Sequence, residues 1–258
     1  MKQRIQRISK YAFLFEELVK RDFTRKYKRS VLGMGWSVLS PLLTLFVMKL
    51  VFTQLLGKNI PHYTIYLFSG NLILSYYKEA TRNGMSSFLE NSGIITHINV
   101  PKYMFVLSRN VSALVNFALT LVVYFLFCAT DRIEFRPAMV LLVFPVVCLL
   151  LLNIGVGLIL STLFVFFRDV RYLYDVFLTL LTYVSAVFYS IEHFSLHVQR
   201  LFLINPVYVY IKYFRVLVID GKIPSLQYHG LCLFYALSFL LIGIAVFRHH
   251  DRKLVYYL

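Results

Sequence analysis

Apolar residues fall into six long runs separated by polar segments of unequal length: 31–56, 60–77, 105–129, 139–167, 173–189 and 228–247. A helix needs about 20 apolar residues to cross a bilayer, so each run is long enough, or nearly so, to be a membrane span. The first contains Pro41 and Lys49, the second Gly70 and Asn71, and the fourth Pro145, Asn153, Gly155 and Gly157. The small residues of the fourth run suit close helix packing. The fifth run is the weakest and opens beside Asp175, which is expected to pair with Arg171 four residues earlier.

Residues 1–30 follow a different pattern. Tyr11, Leu14, Phe15, Leu18 and Val19 share one side of a helix, with Phe23 and Tyr27 at its margin and Asp22 and Lys26 interrupting it. This imperfect amphipathic helix suits the surface of an anionic leaflet. A solvated basic arm is the plainer alternative. The polar connections also differ in kind. Residues 78–104 read as a long polar loop with helix-like patches, and 168–172 as a very short charged turn. Residues 190–227 form the longest connection and enclose the apolar run 201–211, broken by Pro206. Such a run is too short to span and reads as a re-entrant or interfacial piece. The expected fold is therefore all-α and integral to the membrane. It has six transmembrane helices, an amphipathic interface helix over 1–30 and short outer re-entrant helices, with 31–258 forming one membrane domain.

Composition agrees with this reading. Hydrophobic residues are 59% of the 258 and charged residues 15%, against about 45–50% and about 25% in soluble domains. Mean hydropathy is +0.69. A soluble globule or a disordered chain is thereby excluded. The net charge of +15 fits anionic lipid and the positive-inside bias better than nucleic acid. With both termini on one side, that side carries 18 Lys and Arg and the other 7, so the termini are expected in the cytoplasm. Ten of the 18 lie within residues 1–30. The basic, amphipathic start does not read as a cleavable signal, so the first span is expected to direct insertion. Cys128, Cys148 and Cys232 sit in apolar runs and read as small hydrophobes.

Little catalytic chemistry is legible. Gly57-Lys58 and Gly221-Lys222 lack the flanking residues of a phosphate-binding loop, so the chain is not expected to hydrolyse ATP. His193 and His197, spaced i,i+4 beside Glu192, have neither an HExxH pattern nor a third ligand, and read as interfacial histidines rather than a metal site. Lys49 is either a cation that snorkels outward or one that lines a path for an anionic substrate. Tyr208, Tyr210 and Tyr213, in the outer connection, are either lipid-interface anchors or path-lining rings.

Residues 17–41 read ELVKRDFTRKYKRSVLGMGWSVLSP. The positions Arg21, Asp22, Arg25, Tyr27, Lys28, Ser30, Leu32, Gly33, Trp36 and Pro41 resemble the lead-in signature of ABC-2-type permeases that export polysaccharides such as O-antigen, teichoic acid and capsule. Further matches are Phe167-Arg168-Asp169-Val170, Asn205-Pro206, and the loop around Asn91, Ile94, Pro101 and Lys102. The resemblance implies a homodimer in the bacterial cytoplasmic membrane. Each copy would engage a separate ABC ATPase subunit that holds ATP and Mg, with no cofactor on this chain. It implies a lipid-linked glycan substrate threaded through the dimer and an outer connection that closes the exit. It also implies a coupling surface and gate after the second span, at Leu89, Asn91, Gly93, Ile94, Ile95 and His97, joined by Arg168, Asp169 and Arg171. Two other classes share parts of the pattern: an ABC-2 permease for a small lipophilic drug or lipid, and a membrane-embedded transferase. The second needs an acidic or His cluster, and Asp and Glu number only 12.

Overall fold

The computed structural model describes the backbone of residues 2–27, 32–56, 60–98 and 100–258, and the side chains of 12–24, 32–33, 35–53, 60–98 and 100–258. Helix predominates among the described residues, with no strand among them. In chain order the helices are α1 (Lys2–Tyr27), α2 (Trp36–Leu56), α3 (Tyr63–Glu90), α4 (Ser92–His97), α5 (Tyr103–Thr130), α6 (Val143–Phe166), α7 (Val170–Val184), α8 (Leu196–Phe202), α9 (Pro206–Val218) and α10 (Leu226–Tyr257). One 3-10 turn, Gly33–Gly35, leads into α2 and another, Pro137–Leu142, into α6.

Helix α3 is the hub. Ile65, Leu67, Phe68 and Ala80 along it are fully buried, and it packs on α2, α5, α6 and α9. Its length corrects an expectation. The helix does not end at 77 but runs unbroken to Glu90, so the first half of the supposed loop 78–104 is helical. The polar residues there do not break it because neighbouring helices satisfy them. Lys78 Nζ donates to Thr182 Oγ1 of α7 (2.6 Å), Glu79 Oε1 accepts from Asn116 Nδ2 of α5 (2.7 Å), and Arg82 Nε donates to Asp175 of α7 (2.9 Å). The last contact corrects a second expectation. Asp175 pairs with Arg82 across to α3, while Arg171 stays exposed.

Helices α6 and α10 run in direct backbone contact. A Cβ on Gly155 would strike the Phe239 carbonyl and the Leu240 nitrogen, and one on Gly243 the Gly155 carbonyl. The small residues of the fourth apolar run are thus packing surfaces. The three cysteines are buried and unpaired, as expected of small hydrophobes.

Two features shape the long connection after α7. The chain turns at Ser185–Ala186, with Ala186 in the left-handed region (φ 49°). Then α8 and α9 meet at a bend of 106°. Asn205-Pro206 causes the break. Asn205 Oδ1 accepts from the Val207 and Tyr208 amides (3.0 and 3.4 Å), capping α9, while Pro206 occupies a first-turn position where its missing N–H costs nothing. The Asn205 amide also donates to Ser185 Oγ (2.9 Å), tying the cap to the end of α7.

Among the described residues, four helical stretches are long and apolar enough to cross a membrane: Trp36–Thr53, Tyr103–Thr130, Pro137–Phe166 and Leu226–Tyr257. The bent pair α8–α9 makes a fifth if it is taken as one span. Helix α3 has the length but carries too many polar residues, and α7, at 15 residues, is short.

Candidate functional site

Three polar constellations interrupt this apolar body. The first joins α1 to the corner between α3 and α4. Asp22 is 5% exposed, a depth at which a carboxylate requires partners. Its Oδ1 accepts from Arg21 (2.9 Å), its Oδ2 from Ser108 Oγ (3.2 Å), and Arg109 Nε lies 3.4 Å from that same oxygen. Arg109 also donates to Glu90 Oε2 (2.7 Å), and Arg21 to Asn91 Oδ1 (2.8 Å). Asn91, itself buried, donates onward to the Ser87 carbonyl (2.7 Å). A closed ring therefore links Arg21-Asp22 of the lead-in motif, through α5, to Asn91 at the corner before α4. Beneath it, Leu14 and Leu18 of α1 pack with Phe88, Leu89, Ile94, Ile95, Phe105 and Phe247.

The remaining residues of that segment divide by burial. Ile95 is buried and Leu89 and Ile94 half-buried, whereas Gly93 and His97 face outward, with the His97 ring nitrogen 2.8 Å from the Gly93 carbonyl. Arg168, Asp169 and Arg171 are exposed at the α6–α7 turn, and the Arg168 guanidinium lies 5.8 Å from the Phe164 ring centroid. The two groups flank one apolar cluster, since Val165 and Phe166 pack into it from the end of α6. Of the other lead-in residues, Gly33 takes a positive φ (49°) at the turn before α2, and Trp36 and Pro41 border the cleft described next. The side chains of Arg25, Tyr27, Lys28 and Ser30 lie outside the described residues.

The second constellation is a cleft of about 380 Å³ between α2, α3 and α5. Asn71, Ser75 and Glu79 recur every four residues on one face of α3, opposite Asn116 and Thr120 of α5. Ser75 and Glu79 also border a second, charged cavity of about 650 Å³ that reaches Asp22, Lys78, Arg82 and Arg109. The two cavities thus meet along α3 and lead toward the α1 ring. Neither the α3 stripe nor the Asp22–Arg109–Glu90 ring was anticipated from the sequence. The four-residue spacing of Asn71, Ser75, Glu79 and Asn83 is the signal that reveals the stripe. Lys49, by contrast, is exposed on α2 and lines neither cavity.

The third constellation lies at the other end, around α9. Arg215 is 4% exposed and has no carboxylate among its partners in the structure. It donates to the carbonyls of Tyr66 (3.1 Å), Ala186 (2.9 Å) and Val187 (3.0 Å) and to Ser69 Oγ (3.3 Å), with its guanidinium 3.4 Å from the Tyr66 ring centroid. The five-donor fork of arginine is what allows one residue to hold α9, α3 and the strained Ala186 corner together. Arg215 also walls a cavity of about 430 Å³ with His62, Glu192, Lys212 and Asp220. Partial burial pushes the Asp220 carboxyl upward, and the nearby Lys212 draws it back down. Of the three candidate tyrosines only Tyr208 reaches this cavity. Tyr210 and Tyr213 are fully buried, with hydroxyls on the Cys232 carbonyl and on His229 Nε2, both at 2.8 Å. Their rings are committed to the core of this chain.

His193 and His197 are exposed, and among the described residues no group of three or more His, Cys, Asp or Glu is placed to hold a metal ion. The described residues thus show three polar constellations set within an all-helical, largely apolar body.

Comparison with known proteins agrees with that picture. The chain is 27% identical over 244 residues to an O-antigen export system permease protein RfbA of Klebsiella pneumoniae, covering 92% of each chain. It is 26% identical over 228 residues to the protein of that name from Myxococcus xanthus, covering 86% of each. The family model for ABC-2 type transporters matches residues 14–219, from the apolar side of α1 to the end of α9. The chain belongs to the ABC-2 type transporter family, as a membrane-embedded transport subunit.

Proposed function

We propose that the chain is the permease of a polysaccharide exporter in a bacterial cytoplasmic membrane. The observation that carries this reading is its similarity, over about nine-tenths of both chains, to permeases named for O-antigen export. The polar cleft along α3 supports it, because a hydrated glycan needs a walled path through hydrocarbon. Export of a small lipophilic drug or lipid is the alternative within the same family, and nothing in the cleft's polar lining favours it.

In this reading six helices cross the membrane. To the four stretches long and apolar enough are added α3, whose 28 residues reach about 42 Å at 1.5 Å per residue, and α7. Outside-facing residues of α7 such as Leu173, Val176 and Leu180 are apolar and exposed, as a lipid-facing or partner-facing surface requires. Helix α1 lies along the cytoplasmic interface, and α8–α9 is a re-entrant pair closing the exit. Both termini are cytoplasmic. Two copies form the conduit, and each engages a separate ATPase that binds ATP and Mg. This chain supplies no nucleotide site and no cofactor. The corner Leu89–His97, with Arg168, Asp169 and Arg171, receives the ATPase's motion.

The test is co-expression with a candidate cognate ABC ATPase in a strain lacking its own permease and ATPase. The expected outcome is a stable complex and restored surface glycan, lost with Ile94→Asp plus Ile95→Asp while the permease still inserts. Restored drug resistance or lipid export without glycan overturns the reading.

A further inference from the structure

The outward face of α10 changes chemistry abruptly near its C-terminal end. Phe234, Leu237 and Leu241 follow one another on that face at helical spacing, and all three are exposed. Ala245 continues the stripe, then Arg248, Arg252 and Tyr256, all exposed. The opposite face, with Ala236, Gly243, Phe247 and Leu254, is buried. From Leu226 to Phe247 the helix rises about 33 Å, close to the roughly 30 Å of bilayer hydrocarbon. Arg248 and Arg252 come within about the next 8 Å, the thickness of one headgroup layer. All 12 Asp and Glu of the chain lie among the described residues. No ion pair among the described residues includes Arg248, Arg252 or the neighbouring Lys253. Asp251, the one acid on α10, turns to the body, where Lys102 Nζ donates to its carbonyl (2.6 Å) and its carboxylate (2.7 Å). Phe166 of α6 packs on His250 and Tyr257, with ring centroids 5.5 and 4.9 Å apart. The end of α10 is thus fastened on one side, and its arginines stand on the other.

We propose that this end of α10 is a binding site for the headgroup of an anionic phospholipid, with Arg248 and Arg252 holding its phosphate and Tyr256 lying at the interface beside it. The inference rests on α10 crossing the membrane. It rests neither on the glycan reading nor on which side α10 ends. Guanidinium is a planar fork that meets phosphate oxygens at two points. The stem of arginine is apolar, so a residue on a lipid-facing stripe can lie along acyl chains while its head reaches the phosphates. Tyrosine favours the same level of the bilayer. The two arginines continue a stripe that is apolar and exposed for the preceding turns. The first charges they meet on leaving the hydrocarbon are therefore headgroups, which is what favours a lipid over a soluble protein as their partner.

The experiment places a reporter on the stripe. The chain's one tryptophan is removed by Trp36→Phe, and Leu241→Trp sets a new one about two turns before Arg248. The full permease is reconstituted in mixed vesicles of dioleoylphosphatidylglycerol and dioleoylphosphatidylcholine, with one or the other lipid dibrominated. Quenching of the reporter gives the relative affinity of the two lipids for the adjacent surface. Phosphatidylglycerol should be favoured at least about fivefold at low salt. Raising the ionic strength to about 0.5 M should at least halve that preference, a readout that needs no further substitution. Arg248→Gln plus Arg252→Gln should bring the two lipids within about 1.5-fold. Arg136→Gln plus Lys222→Gln removes the same charge near the start of α10, where Arg136 Nη1 donates to the Gly221 carbonyl, and should leave the preference unchanged. Absence of a phosphatidylglycerol preference in the reporter protein, an unchanged preference after loss of Arg248 and Arg252, or an equal fall in both double variants overturns the proposal. If the preference is unchanged and binding of a cognate ATPase is lost instead, the arginines belong to a protein contact.

Discussion

At the scale of single residues, two buried charges solve the same problem in opposite ways. Arg215 satisfies its guanidinium with backbone carbonyls, and Asp22 satisfies its carboxylate with two arginines and a serine. Of the two, Asp22 joins α1 to the body, where α5 and the apolar cluster at the α3–α4 corner also meet it. Removing one partner of a buried pair costs about 3–5 kcal/mol, because the other charge is left uncompensated. Asp22→Ala strands Arg109 with Glu90 alone, so α1 should loosen while the membrane helices stay folded. Limited trypsin digestion of the permease in nanodiscs should then cut within residues 20–29 at least about tenfold faster than in wild type. Asp22→Asn, which still accepts from Ser108, should fall between the two. Equal digestion rates for all three proteins would show that the ring does not hold α1 in place.

At the scale of elements, hydropathy reads the helices that meet apolar neighbours and misreads those that meet polar ones. The fourth apolar run becomes α6 almost unchanged, whereas the sixth, 228–247, is only part of α10, which runs on through the basic tail to Tyr257. The break at Asn205-Pro206 was equally legible, because a capping side chain followed by proline is a local signal. Helix α3 was cut short at 77 because Lys78, Glu79 and Arg82 look like a loop until Thr182, Asn116 and Asp175 supply their partners. Those partners are 37 to 104 positions away in sequence. The Asp22 ring was illegible for the same reason, although Asp22 and Asn91 had each been singled out. Glycines in the fourth run, by contrast, could be read as packing surface without knowing what they pack on. Gly155 and Gly243 place α6 and α10 in backbone contact. Gly155→Val puts its side chain against the Phe239 carbonyl, a group that cannot move aside as a flexible side chain does. Overpacking costs about 1–3 kcal/mol where neighbours can adjust, and α10 can respond only as a whole helix. The expected result is a lower melting temperature of the purified protein in detergent. Gly230→Val, on the same α10 but with open space around it, should leave the melting temperature unchanged. Equal destabilisation by both would mean that the α6–α10 contact does not set the cost, since valine is a better helix former than glycine and propensity cannot supply it.

At the scale of the whole molecule, the three polar constellations lie in order along the bundle. The Asp22 ring is at the α1 end, the Glu79 cleft lies along α3, and the Arg215 cluster is at the α9 end. This order gives the molecule a direction only once its orientation is known. The charge count of 18 against 7 supports the proposed orientation, with α1 and the α6–α7 turn cytoplasmic and α8–α9 outside. Most of that margin rests on the basic residues of α1. The orientation therefore needs a test that does not involve α1, and the connection before α10 provides one. Ser225 is exposed at the start of α10, on the side assigned to the exterior. The three native cysteines are buried and unpaired, so they should contribute little background labelling and can be replaced by alanine or serine. In such a protein Ser225→Cys should react with a membrane-impermeant maleimide in intact cells, and Arg171→Cys, at the exposed α6–α7 turn, only after permeabilisation. The reverse pattern would place the α1 ring outside and contradict the assignment of Leu89–His97 as the surface that meets a cytoplasmic ATPase. Labelling of both sites in intact cells would instead remove α7, the shortest of the six proposed spans, as a crossing helix, since residues 171 and 225 would then share one side of the membrane.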